Sequence, residues 1–262
     1  ATYIGWALHG VRGGLVAGIL FVLPGALFIA NSTLVSQGAM SIPAALFISL
    51  LVVAVTKAHE GAWIIMLLPH GFAETKSEKL AEYLQVREVM ASVAGTRLIG
   101  PMTVMNNNGI LLPPIASDEE MQALRQSSQL NVERINSKFT AIGNLIAAND
   151  NGAIVSPLFR READRQVQDV LGVPARSMTV GGFVQTGSMV VVTNAGAGVH
   201  PKATEDEIRQ VSEILQVPAE PVTINGGVPF LSSGIVANAR AVVVGSLTSG
   251  PELIMLSRIF KA

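Results

Sequence analysis

Residues 142–157 read IGNLIAANDNGAIVSP, and the same pattern returns three more times: IGPMTVMNNNGILLPP at 99–114, TGSMVVVTNAGAGVHP at 186–201 and LSSGIVANARAVVVGS at 231–246. The cores open at Gly100, Gly143, Gly187 and Ser232, spaced 43, 44 and 45 residues apart. Six positions later stand Asn106, Asn149, Thr193 and Asn238, and nine positions later Gly109, Gly152, Gly196 and Ala241. Pro114, Pro157 and Pro201 close three of the four. Self-similarity at a fixed period of this length is the mark of a repeat architecture.

One unit can be read physically. The apolar run after the opening glycine suits a buried strand. An Asn-x-x-Gly turn reverses the chain. A second short apolar strand ends at proline, which has no N–H to give to a ladder. Ser117-x-x-Glu120, Thr204-x-x-Glu207 and Ser249-x-x-Glu252 then match the capping box that starts a helix, and Pro251 fits an early helical position. Apolar residues follow at helical spacing: Met121 and Leu124; Val167, Val170 and Leu171; Ile208, Val211 and Leu215; Leu253, Leu256 and Phe260. Each unit is strand, turn, strand, helix and a strand after the helix. Upstream, Trp63–Leu68 before Pro69 reads as a strand, and Thr75-x-x-Glu78 as a capping box leading into Leu80, Tyr83 and Leu84. The chain thus holds four full units and the back half of a fifth, near 63–86, 87–130, 131–173, 174–217 and 218–262. Open sheet edges invite aggregation, so radial closure into an α/β propeller with an incomplete first repeat is the expected end state.

The first 62 residues have a different composition. No charge falls between Arg12 and Lys57. Gly13–Ala30 and Met40–Thr56 are each nearly long enough to span a bilayer. With the polar link Asn31–Gly38 between them, they predict an apolar helical hairpin, both ends cytoplasmic by the positive-inside rule. A buried helical pair is the other reading. No charged n-region precedes the first run, so no signal peptide is expected; the opening Ala1 suits a fragment or a processed product. The wording of residues 1–26, ATYIGWALHGVRGGLVAGILFVLPGA, resembles part of the chromate transporter family. Two spans are too few for an alternating-access carrier.

Charge and cysteine count narrow the function. The formal net charge of −1 argues against a non-specific nucleic-acid binder. The absence of cysteine excludes disulfides, thiolate metal sites and cysteine nucleophiles, and suits a reducing cytosol.

Beyond residue 66 the sequence resembles the archaeal translation initiation factor 6 family, on GFAETKSEKLAEYL from Gly71, GNLIAANDNGAIVSP from Gly143, TNAGAGVHP from Thr193 and LTSGPEL from Leu247. The resemblance implies a pseudo-five-fold α/β propeller, the pentein fold. It implies binding to the large ribosomal subunit that sterically prevents joining of the small subunit, with no catalysis, no cofactor and no small-molecule substrate. The expected partners are mainly basic ribosomal proteins, with minor RNA contact, and the expected state is a cytoplasmic monomer. A membrane-tethered or non-functional fusion with the transporter-like segment is the alternative. A guanidinium-modifying enzyme of the same fold is disfavoured by the missing cysteine.

Asn144, with its repeat counterparts Pro101, Ser188 and Ser233, is the candidate ribosome-binding set, against the alternative of asparagines and serines that only cap turns. Asn106, Asn149 and Asn238 with Gly109, Gly152 and Gly196 are read as structural turns, on the ground that Asn and Gly take positive φ cheaply. His200 reads as a satisfied turn residue, with no second ligand for a metal. The acidic runs 118–120 and 205–207 suit the helix macrodipole. Arg160-Arg161 is a solvated pair, or else an RNA contact.

Overall fold

In a computed structural model that describes residues 27–29, 51–53 and 65–261, the tandem pattern becomes five three-stranded sheets. The second unit sets the pattern. A helical turn, α2 (Ile99–Met102), leads into β5 (Val104–Met105), which pairs antiparallel with β6 (Gly109–Leu112). Helix α3 (Asp118–Ser128) then carries the chain back, and β7 (Asn131–Arg134) joins β6 in parallel. A parallel partner requires such a crossover. The third unit repeats this with a 3-10 turn at Ile142–Asn144, β8 (Ile146–Ala148), β9 (Ala153–Val155), α4 (Arg161–Leu171) and β10 (Ala175–Ser177). The fourth has α5 (Thr186–Met189), β11 (Val190–Val192), β12 (Ala197–Val199), α6 (Glu205–Leu215) and β13 (Ala219–Pro221). The fifth has a 3-10 turn at Leu231–Ser233, β14 (Ile235–Ala237), β15 (Val242–Gly245) and α7 (Gly250–Phe260).

The first unit corrects the expectation of an apolar helical hairpin. β1 (Leu27–Ile29) pairs antiparallel with β15, and β2 (Leu51–Val53) pairs antiparallel with β3 (Ile65–Pro69). Both short strands fall inside the two runs read as spans. A continuous apolar run does not distinguish a span from a buried strand, and over Leu27–Ile29 and Leu51–Val53 the ladder pairing is that of strands. The rest of both runs lies outside the described residues. No helix among the described residues is long and apolar enough to cross a membrane. Helix α1 (Glu74–Leu84) and β4 (Arg87–Ala91), parallel to β3, complete this unit.

Two local expectations change. The opening glycines lie in or beside short helical turns rather than on strands, so each inner strand is only two or three residues long. Thr75 is not an N-cap: α1 starts earlier, with Ala73 in extended geometry and no side-chain cap. The boxes at Ser117, Thr204 and Ser249 are present.

Period-two alternation places each sheet between two cores. Met66 and Leu68 pack with Leu80, Leu84, Val236 and Val243, whereas Ile65 and Leu67 face Met121, Leu124 and Val132. Val104 and Leu111 of the second unit enter the core of the third, and Ala147 and Ile154 of the third enter that of the fourth. Val191 of the fourth packs on the core of the fifth. The fifth unit's Val236, Ala241 and Val243 share a core with the first, so the succession of cores returns to its start.

Candidate functional site

Each unit runs between two ends. At one end lie the asparagine turns. Asn149 Oδ1 accepts from the amides of Asn151 and Gly152, both at 3.0 Å, while its Nδ2 donates to the carbonyls of Thr193 (3.2 Å) and Leu215 (2.9 Å). Asn106 does the same with Asn108, Gly109, Asn149 and Leu171. Asn238 holds Arg240 and Ala241 and donates to the Leu84 carbonyl, 2.7 Å away in the first unit. These residues therefore join the second, third and fifth units to the last turn of a neighbouring unit's helix. The positive-φ explanation for them is corrected: none of Asn106, Asn149, Asn238, Gly109, Gly152 or Gly196 has positive φ. The glycines are needed for proximity. A Cβ would stand 2.2 Å from the Val170 carbonyl oxygen at Gly109, 1.9 Å from that of Ile214 at Gly152 and 1.9 Å from that of Ile259 at Gly196. The asparagine end encloses only about 50 Å³.

At the other end, α2, the 3-10 turn 142–144, α5 and the 3-10 turn 231–233 contact one another in succession. Their backbones approach closely, since a Cβ on Gly143 would lie 2.1 Å from the Gly100 carbonyl oxygen, and one on Gly187 2.1 Å from that of Gly143. These turns surround a cavity of about 410 Å³. Pro101, Asn144, Ser188 and Ser233 all line it, so the four repeat counterparts meet at one mouth. Ser233 is exposed and the other three are half-buried. The deeper walls are Val104, Ile146, Val190 and Ile235. No ionisable side chain is among the described residues lining it.

Carboxylates hold the loops leading to these turns. Glu120 accepts from the amides of Ala94 and Gly95, each at 2.8 Å, from Ser92 Oγ and from the amide of its own cap Ser117. Glu252, buried, accepts from the amides of Gly226 (3.1 Å) and Gly227 (2.9 Å), from Thr223 Oγ1 and from Ser249. Glu207 accepts from Gly181, and in the third unit Gln166 takes over, bridging Asn136 N and Arg134 O. Burial alone raises the carboxyl pKa of Glu120 and Glu252, but the donated hydrogen bonds outweigh it and hold both below the ordinary range. Sequence reading found these acids only as caps; their second role depends on loops 25 or more residues away.

Beside the mouth, Phe183, His200 and Phe230 form an aromatic trio with centroids 5.1, 5.8 and 6.2 Å apart. His200 is buried and its Nδ1 accepts from the Lys202 amide at 3.1 Å. Burial, with the Lys202 charge, holds its pKa down. Phe230 lines the cavity and is 43% exposed. Sequence reading passed over it because no repeat position flagged it. The other exposed large apolar residues among those described are Met90, Leu98, Ile115, Leu158 and Ile254.

Among the described residues, no group of His, Cys, Asp and Glu is placed to hold a metal ion.

A family model described as the eIF-6 family matches residues 62–259. The chain is 52% identical over 195 residues to translation initiation factor 6 of Nitrosopumilus maritimus, covering 74% of this chain and 88% of that protein. It is 47% identical over the same shares to translation initiation factor 6 of Cenarchaeum symbiosum. Eukaryotic translation initiation factor 6 of Dictyostelium discoideum is 43% identical over 115 residues, covering 43% of this chain and 46% of that protein.

Proposed function

This chain belongs to the eIF-6 family, and we propose that it is a translation initiation factor that binds the large ribosomal subunit and keeps the small subunit from joining by occupying space. The observation that carries this reading is the shared mouth: Pro101, Asn144, Ser188 and Ser233 line one cavity together with the exposed Phe230, and no ionisable side chain is among its described lining residues. We assign this face to the ribosome, mainly to ribosomal proteins. A blocker needs only affinity and bulk, and the proposed role is non-enzymatic, without cofactor or small-molecule substrate. The protein acts as a cytoplasmic monomer in this account.

The proposed architecture is the pentein fold, with five units around one axis within residues 63–262. Three features support it. Asn106, Asn149 and Asn238 make equivalent contacts to the next unit. The glycine approaches recur unit by unit. The core of the first unit takes side chains from the last. A rigid disc of this kind presents its mouth without rearrangement.

The test is a subunit-joining assay. Saturating protein, pre-bound to purified archaeal large subunits, is expected to co-sediment with them and to lower the joined fraction when small subunits are added. Unchanged joining at saturation would reject the proposal.

A further inference from the structure

Glycine follows asparagine three times in the chain, at Asn108-Gly109, Asn151-Gly152 and Asn225-Gly226. This pair carries a chemistry of its own. Glycine has no side chain to shield its amide and takes backbone angles closed to other residues, so its nitrogen can reach the side-chain carbonyl carbon of the asparagine before it. In this fold all three glycine amides are already committed. Gly109 N–H donates to Asn106 Oδ1 at 3.2 Å, Gly152 N–H to Asn149 Oδ1 at 3.0 Å and Gly226 N–H to Glu252 Oε2 at 3.1 Å. An amide held by such an acceptor is turned away from the preceding side chain, so each acceptor acts as a lock.

The asparagine side chains are held less evenly. Asn108 Nδ2 donates to the Leu171 carbonyl at 2.7 Å and lies against Gly172, where a Cβ would stand 3.0 Å from it. Asn225 is wedged between two backbones: a Cβ on Gly245 would lie 1.9 Å from its Oδ1, and one on Gly234 2.8 Å from its Nδ2. Asn151 Nδ2 reaches its acceptor, the Leu215 carbonyl, only at 3.5 Å, the outer limit of a hydrogen bond. Half-buried, it has the loosest side chain of the three.

We infer that Asn151 is a site of spontaneous modification, where the chain closes a succinimide with Gly152 and converts to aspartate or isoaspartate once Asn149 releases the glycine amide. Water is the only co-reactant. The Gly152 nitrogen bonds to Asn151 Cγ as the Cγ–Nδ2 bond breaks, and the amide proton leaves with Nδ2 as ammonia. Water then opens the ring, at Cγ to give aspartate or at the backbone carbonyl carbon to give isoaspartate. Either product puts a carboxylate next in the chain to Asp150 and in place of a donor to the Leu215 carbonyl. Isoaspartate also adds a carbon to the backbone just before Gly152, which has no slack: a Cβ there would lie 1.9 Å from the Ile214 carbonyl oxygen. The conversion therefore loosens the joint between the third and fourth units. It does not depend on binding to the ribosome.

The test is peptide mapping by mass spectrometry of the full chain aged in mildly alkaline buffer, with fragmentation that separates aspartate from isoaspartate. In wild type, conversion at Asn151 is expected to run ahead of that at Asn108 and Asn225. Asn149→Ala removes the acceptor and is expected to speed conversion at Asn151 by about tenfold, the weight of one hydrogen bond, with Asn108 and Asn225 unchanged as the internal control for folding. Wild type in which Asn108 or Asn225 converts first overturns the inference. So does Asn149→Ala with no acceleration at Asn151, or with equal acceleration at all three sites, since loss of the whole fold would then set the rate. Asn151→Gln keeps the amide on a longer side chain and slows ring closure. Aged wild type is expected to melt below fresh protein, while aged Asn151→Gln melts as it did when fresh. Equal losses in the two would overturn the claim that conversion loosens the joint.

Discussion

Gly152 and Gly95 are both glycines for a reason, but the reasons differ. At Gly152 the backbone is ordinary and the space is not, because a Cβ would lie 1.9 Å from a backbone oxygen of the neighbouring helix. At Gly95 nothing lies within 4 Å, but φ is +67°. Gly95→Ala is therefore expected to cost about 1 to 2 kcal/mol, the penalty of left-handed geometry. Gly152→Ala must move two units apart and is expected to cost about 3 kcal/mol, the upper end of what overpacking costs. Chemical denaturation midpoints measure both; a smaller loss at Gly152 than at Gly95 would contradict the close-approach account. The spacing Asn-x-x-Gly was legible in the sequence as a turn. Its inter-unit role was not, since the partner carbonyls of Asn149 are 44 and 66 residues away. Asparagine and glycine have two physical uses, positive φ and a tight fit with amide donors. Only the neighbouring chain tells which applies.

The helices show where local signals suffice. Ser117, Thr204 and Ser249 were legible as caps because the capping box is contained in four residues. Thr75-x-x-Glu78 matches the same pattern but lies inside α1, whose first turn is set by Ala73, the carbonyl acceptor for the amides of Lys76 and Ser77. The carboxylates that cap also clasp loops, which gives these elements a pH dependence. Glu252 has a depressed pKa when folded, so its stabilisation is present above the ordinary carboxylate value of about 4.3 and is lost as pH falls through the folded value. Glu252→Gln is expected to lower stability at neutral pH by about 1 to 3 kcal/mol, because the amides of Gly226, Gly227 and Ser249 lose a charged acceptor. It is also expected to flatten the loss of stability on acidification below about pH 4.3. An acid-unfolding profile that keeps the wild-type slope in this variant would show that Glu252 is not the titrating group.

For the whole molecule, tandem units and the meeting of Pro101, Asn144, Ser188 and Ser233 were legible because equivalent positions in a repeat share an environment. The aromatic trio and the loop clasps were not, because they depend on departures from the repeat. The apolar N-terminal runs misled for another reason: strands β1 and β2 join the sheets of β15 and β3, and only pairing reveals that. The central claim is that the mouth end, and not the asparagine end, meets the large ribosomal subunit. Hydrogen–deuterium exchange of the chain, free and bound to purified large subunits, tests this most directly. Binding is expected to slow exchange within 97–103, 141–146, 185–190 and 229–235, and to leave 106–108, 149–151, 193–195 and 238–240 unchanged. Protection confined to the asparagine turns, or none anywhere, would contradict it.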